Sequence, residues 1–277
     1  MSKHIYIYSP SGAVRDKPAF RRGVARLKKM GHEVEVDTDA LSSHQRFAGD
    51  DATRLASIHR AASSGADVAL ITRGGYGLTR ILPGVDYKKV ARAIDGGLLF
   101  VGISDFTVLQ CALQAKTGAI TWAGPALCEG FGVQSPHDSV ALTEPDEIMQ
   151  ACFEDLLSGQ AEGTGWRQSR IPVSGVKTPT PSQPELRIHN ATLWGGNLTM
   201  LTTLLGTPFF PEVKGGVLFL EDTGEHPYRI ERMLTQLLHA GVLARQKAIV
   251  FGQFTDYKLV AHDKGFKLAT VLDWLRS

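Results

Sequence analysis

Ser104 is the residue in this chain whose setting best suits a nucleophile. It stands between an apolar run, Leu98 to Ile103, with the length of a buried parallel strand, and a stretch from Asp105 to Ala115 in which Phe106, Val108, Leu109 and Leu113 share one helical face. A strand that turns into a helix within about one residue holds that residue, strained, at the strand's carboxyl end. The turn also aims the first N–H groups of the helix, beginning with Asp105, at whatever the serine touches. A serine hydroxyl beside half of an oxyanion hole is equipment for acyl transfer. Serine is equally a preferred helix N-cap, so a purely structural role fits the same stretch.

Arg73-Gly74-Gly75-Tyr76-Gly77 follows directly on the apolar strand Val68–Thr72. Its glycines let backbone approach a ligand, and Gly75 can supply a second oxyanion N–H opposite that of Asp105. A plain tight turn is the alternative. The loop lacks the lysine of a P-loop and the spacing of a dinucleotide fingerprint, so a nucleotide-binding role rests on its glycines alone. Glu221 and Asp222 end a further strand, Gly216–Leu220. Acids at such a place complement a helix dipole, yet Glu221 follows four apolar residues, and a buried acid can orient a catalytic histidine. Trp194 and Asn197, around Gly195 and Gly196, either line a pocket or belong to the core. Among nine histidines, His226 and His239 lie at or on an amphipathic helix and His262 in a loop rich in Lys and Asp. Surface and cap roles suit all three, and spacing singles out none as a base.

The elements that must hold these residues alternate. A strand His4–Ser9 closes at Ser9-Pro10-Ser11-Gly12; a helix runs from about Lys17 to Gly31; a strand covers His32–Val36; a helix capped by Asp50 or Asp51 stops near Gly65. After Val68–Thr72 come a helix Tyr87–Ile94, the Ser104 strand with its helix, and a strand Ala119–Ala123. This alternation predicts βαβ units and a parallel sheet, whose ligands sit at the carboxyl ends of the strands beside the switch point. From about Val133 the character changes. A helix Glu144–Leu157, capped in the Thr143–Pro145 region, precedes a Gly-, Ser-, Thr- and Pro-rich crossing, Ala161–Pro184. Beyond it are strands Glu185–His189 and Ala191–Trp194, a helix opened by Gly195–Asn197 and running through Leu205, an amphipathic helix from Pro227 to Gly241, a strand Lys247–Phe251 and a helix Phe266–Leu275.

The formal charge of +2 and the lack of long Lys or Arg runs argue against nucleic-acid or membrane-surface partners. No apolar run has the length of a bilayer span, and MSKHIYIYSP enters a strand with no signal peptide. Cys111, Cys128 and Cys152 are odd in number and lack metal-type spacing, which suggests a reducing cytoplasm and no metal.

In order, Ser9-Pro10-Ser11-Gly12, RFAGDDATRL (Arg46–Leu55), RGGYG, GISDFT (Gly102–Thr107), Gly124-Pro125, LWGGNL (Leu193–Leu198) and LEDTGEHPYRIERML (Leu220–Leu234) resemble the LD-carboxypeptidase family, the muramoyltetrapeptide carboxypeptidases among serine peptidases. The resemblance spans nearly the whole chain. It implies an N-terminal flavodoxin- or Rossmann-like α/β domain with a nucleophile elbow (1–160), a linker (161–184) and a smaller C-terminal α/β domain (185–277). It also implies a Ser–His–Glu triad with Ser104 as nucleophile and Glu221 as acid, oxyanion N–H groups on Gly75 and Asp105, and substrate contacts from Tyr76, Trp194 and Asn197. The implied reaction removes terminal D-alanine from murein tetrapeptides by cutting an L,D bond during cell-wall recycling. No cofactor or metal takes part, and the enzyme is a cytoplasmic homodimer. The family's histidine lies in a late G-x-x-x-G-H-like stretch after the helix matching Phe266–Leu275. The sequence ends at Ser277 before such a stretch, and His262 precedes that helix, so the expectation is a chain truncated before its base and inactive in this form. Two alternatives are the branch of the family that inactivates peptide–nucleotide antibiotics, and a peptide-binding form without catalysis.

Overall fold

The computed structural model describes residues 2–134, 145–160 and 187–277; the expected linker 161–184 lies outside them, as do Glu144, Glu185 and Leu186. The chain divides into two compact units, Met1–Thr164 with Gly206–Pro211, and Gly165–Leu205 with Glu212–Ser277.

In the first unit the elements are β1 (His4–Tyr8), α1 (Lys17–Lys29), β2 (Glu33–Val36), α2 (Asp51–Ala61), β3 (Val68–Ile71), α3 (Leu78–Ile81), α4 (Tyr87–Asp95), β4 (Leu99–Gly102), α5 (Thr107–Thr117), β5 (Trp122–Ala123) and α6 (Glu147–Ser158). The five strands are all parallel, in the order β2-β1-β3-β4-β5. Burial on both faces explains why β3 reads Val-Ala-Leu-Ile without alternation. Ile5, Ile7, Leu70 and Val101 from the sheet pack with Leu27, Leu127, Phe131 and Phe153 in one core. Each such side chain contributes roughly 1.5–3 kcal/mol on burial. Asp50 caps α2, accepting the Thr53 N–H at 2.8 Å, and this leaves Asp51 free for other work. Strand order reverses between β1 and β3, so the loops after these two strands flank the crevice where such sheets hold ligands.

Three details depart from the expected boundaries. β5 shrinks to two residues after Gly118 ends α5 in the left-handed region. The helix expected from Glu144 starts at Glu147, because Pro145 disfavours helix before it and Asp146 caps it, accepting the Met149 N–H at 2.8 Å. Leu127–Phe131 forms a π-helical turn that no periodicity signalled.

The second unit contains β6 (Leu193–Asn197), α7 (Leu198–Thr202), β7 (Val217–Thr223), α8 (Pro227–His239), β8 (Ala248–Thr255) and α9 (Leu268–Arg276), with a parallel sheet in the order β6-β7-β8. Residues 187–189 are not in a strand, contrary to the sequence reading, and β6 runs through both glycines. Gly195 has φ +115°, and a methyl group there would collide with the Phe219 carbonyl of β7, so only glycine keeps this register. The helix therefore starts at Leu198 and stops at Thr202, short of Leu205. The segment Gly206–Pro211 returns to the first unit, where the Phe209 ring stacks on Tyr87 (centroids 6.2 Å apart) and lies beneath Lys116. No helix among the described residues is long and apolar enough to cross a membrane.

Candidate active site

Ser104 has φ +66°, a left-handed conformation that costs a non-glycine residue on the order of 1–3 kcal/mol. It follows extended Ile103 and opens a 3-10 turn, Ser104–Phe106, that leads straight into α5. Its neighbours impose the conformation. The fully buried Phe106 ring fills the space beneath Gly102, where a methyl group would meet it at 2.5 Å. Gly74 lies against the serine, and a methyl group there would stand 2.8 Å from Ser104 Cβ and 2.9 Å from Oγ. Ser104 itself is half-buried and follows the exposed side chain of Ile103.

The loop after β3 carries an exposed Gly75 at φ +129° and Gly77 at φ +141°. The loop after β1 meets it where Gly12 donates to the Gly74 carbonyl at 3.3 Å. Asp105 turns its carboxylate into this junction, accepting from the Ser11 hydroxyl and from the Leu78 N–H at 3.0 Å. Burial pushes that carboxyl above its ordinary range in spite of those bonds. The backbone N–H of Asp105 belongs to the first turn after the strand, where donors lack an internal partner.

A cavity of about 530 Å³ beside the glycine loop is lined by Arg15, Asp16, Arg22, Arg73, Cys128 and Glu129 among others. Arg73 pairs with Glu129 at 3.5 Å, and Glu129 accepts the Gly74 N–H at 3.4 Å. Burial pushes the Cys128 thiol up to about 12, so it is no competitor to the serine.

In the second unit, Glu221 pairs in register with Asn197 of β6. It falls at an irregularity of the β7–β8 ladder, between Leu220 opposite Phe251 and Asp222 opposite Phe254. Such bulges re-aim side chains. Burial first, and then repulsion from Asp222, raises the Glu221 carboxyl, while Asn197 opposes the shift. Asp222 is buried and accepts from Thr199 N and Oγ1 (2.9 and 2.8 Å), Asn197 Nδ2 (3.0 Å) and its neighbour Thr223 N (2.8 Å). Adjacent acids thus do different work: Asp222 ties β7 to the start of α7, and Glu221 faces the other side of the strand.

Asn197 also caps α7 through the Met200 N–H at 3.0 Å. Trp194 is buried, its indole N–H donating to Gln246 at 3.0 Å. Of the three expected substrate contacts, only Tyr76 is exposed, resting against Phe47 and under Arg46. His226 caps α8, with Nδ1 facing the Tyr228 N–H and Nε2 3.1 Å from Asp263, so both ring nitrogens are engaged; His239 and His262 are exposed. The first unit therefore assembles Ser104, Gly75 and Asp105, and the second assembles Asn197 and Glu221. Sequence reasoning passed over Ser11 and Arg54, which lie in the quoted motifs but carry no spacing that marks them as partners of the Ser104 loops.

Residues 5–124 match the LD-carboxypeptidase N-terminal domain and residues 190–276 the LD-carboxypeptidase C-terminal domain. A Bacillus subtilis protein named "Probable murein peptide carboxypeptidase" is 31% identical over 248 residues, 89% of this chain and 71% of that protein. The Microcin C7 self-immunity protein of Escherichia coli is 27% identical, over 88% of this chain and 73% of that one. The crystal structure of a muramoyltetrapeptide carboxypeptidase from Oxalobacter formigenes superposes with a TM-score of 0.78 at 36% identity, covering 99% of this chain and 84% of that one. With both of its units matched in order, the chain belongs to the LD-carboxypeptidase family.

Proposed function

We propose that the chain is a serine hydrolase that releases terminal D-alanine from murein tetrapeptides by cutting an L,D bond. The observation that carries this reading is Ser104 at φ +66° at a strand end, with a glycine loop pressed against it. The hydroxyl attacks the carbonyl carbon before D-alanine, and its proton passes to a base. The family resemblance gives that role to a histidine oriented by Glu221. No histidine of this sequence matches the motif, so the 277-residue form is expected to turn over only if another base takes the proton. The carbonyl oxygen becomes an oxyanion held by the N–H groups of Gly75 and Asp105. The C–N bond then breaks, D-alanine leaves with the proton, and water hydrolyses the acyl-enzyme to restore Ser104. Arg73, at the head of the glycine loop, is the cation for the peptide's terminal carboxylate; Arg73→Gln is expected to raise KM several-fold with kcat little changed, and an unchanged KM removes it from that role.

The test is D-alanine release from an L,D-tetrapeptide, with Ser104→Ala as control. Release that falls by at least about 10⁴-fold in the variant supports the serine; release that survives it overturns the assignment. Added imidazole reports on the base, since a free base accelerates only an enzyme whose own base position is empty. The similarity to the microcin self-immunity protein supports a second reading, hydrolysis of a peptide–nucleotide antibiotic. Assaying both substrates on one preparation separates the two. Cytoplasmic location and a homodimer belong to the same proposal, and sedimentation at micromolar concentration tests the dimer.

A further inference from the structure

Arg54 lies on α2 and is wholly buried, although arginine is rarely so placed and its charge is costly to remove from water. Its Nη1 donates to the carbonyls of Gly77 (2.8 Å) and Pro10 (3.4 Å), its Nη2 to Asp51, and its plane lies 4.7 Å over the Phe47 ring. Asp105, equally buried, accepts from the Ser11 hydroxyl and the Leu78 N–H. Each charge therefore grips both loops at the switch point. The cation takes one carbonyl from each loop, and the anion takes one donor from each. We infer that Arg54 and the Asp105 side chain are positioning residues, a pair of buried opposite charges that fixes the Ser9–Gly12 turn and the Gly74–Leu78 loop together and so sets the direction of the Gly75 N–H.

Three observations carry the inference. Gly75 sits between two anchored points, the Gly12–Gly74 bond at 3.3 Å on one side and the Gly77 and Leu78 bonds on the other. The loop needs such anchoring, because glycines at φ +129° and +141° have more backbone freedom than any other residue, and an unfixed donor must be ordered during the reaction. A methyl group on Gly77 would stand 2.6 Å from Arg54 Nη1, so loop and guanidinium fit each other closely. Finally, Arg54 Nε and Asp105 Oδ1 are buried with no hydrogen-bond partner among the described residues. A pair kept only for stability would do as well as apolar side chains of the same volume; a pair kept for loop geometry has reason to carry that cost.

The inference rests on the reading that Gly75 supplies an oxyanion donor, and two readouts on the whole chain separate the two claims. In Arg54→Met and Asp105→Asn, amide hydrogen exchange is expected to accelerate about tenfold or more in peptides covering 9–13 and 73–78, while β1, β3 and β4 exchange as in the parent. Arg54→Lys, which keeps the charge but loses the fork, is expected to fall between. Unchanged loops, loosening of one loop only, equal acceleration in the strands, or failure of all three variants to fold would each overturn the clamp. For D-alanine release, kcat is expected to fall roughly 10- to 100-fold with KM within about threefold. A rise in KM alone overturns the positioning role. If the parent protein releases no D-alanine even with imidazole added in place of the base, the proposed function fails, and the exchange result still decides the clamp.

Discussion

Ser104 in the first unit and Glu221 in the second both stand at the end of a parallel strand, β4 and β7, and the two strand ends are built by different means. At Ser104 the backbone carries the peculiarity: φ is +66°, Gly102 and Gly74 leave no room for a Cβ, and buried side chains hold the loops around it. At Glu221 a single ladder irregularity re-aims the side chain, and what is special is the carboxyl's surroundings, half-buried beside an Asp222 that is satisfied elsewhere. On the proposed function, Ser104 is the nucleophile that has to be aimed and Glu221 the acid that has to be tuned. Changes near Ser104 should therefore read out in turnover number, and changes near Glu221 in pH dependence.

The sharpest way to break that contrast, beyond removing the serine itself, is Gly74→Ala. The added methyl group displaces either Ser104 or the loop, and roughly 100-fold is expected to be lost from kcat while circular dichroism stays unchanged. Full activity would mean that the loop is not seated against the serine. Next, Glu221→Gln is expected to lower kcat about tenfold or more with a melting temperature close to the parent's. Asp222→Asn, which turns an amide toward the Thr199 donors, is expected to cost about 2 kcal/mol in urea unfolding. Reversed outcomes would exchange the two roles.

The pH dependence sharpens the acid's side. A carboxyl raised by burial ionises later, so the acidic limb of kcat/KM should lie above the ordinary glutamate value of about 4.3 and move or vanish in Glu221→Gln. The sign for stability is opposite to that of a salt-bridged acid. Ionising Glu221 disfavours the fold, so stability should decline as pH rises from about 4.3 toward the folded-state value, and the Gln variant should show a flatter curve. Smallest is the comparison of Ser104→Gly with Ser104→Ala. Both lack the hydroxyl, but glycine relieves the left-handed strain and should be more stable by about 1 kcal/mol. Equal stability would remove the strain from the account.

Much of this was legible in the chain itself. Leu98–Ile103 running through Ser104 into Asp105 marks the strand-to-helix turn. Apolar runs locate β1 and β3 to within a residue and the start of β7 likewise, although β7 continues to Thr223, three residues past the apolar run. Arg54 was not legible, because an arginine three residues after an aspartate on a helix looks like a solvated ion pair, and its real partners lie at Pro10 and Gly77. The Asp105 side chain was hidden for the same reason: Ser11 is 94 positions away. The sequence places the helix start too early because Gly195-Gly196 resembles a breaker, whereas β7 approaches Gly195 so closely that only glycine continues the strand there. Local pattern reports on elements; contacts between distant loops leave little trace in it.

The return of Gly206–Pro211 to the first unit has a consequence for how the protein can be taken apart. The chain passes from one unit to the other three times, after residues 164, 205 and 211. A single protease cut in 161–186 would therefore leave two fragments still interlocked, because the C-terminal piece contains Phe209, which stacks on Tyr87 of the N-terminal piece. Expressed alone, residues 1–164 would expose the Tyr87 face and lose the ring beneath Lys116. The units are distinct in their cores, but as pieces of polypeptide they are not separable by any one cut.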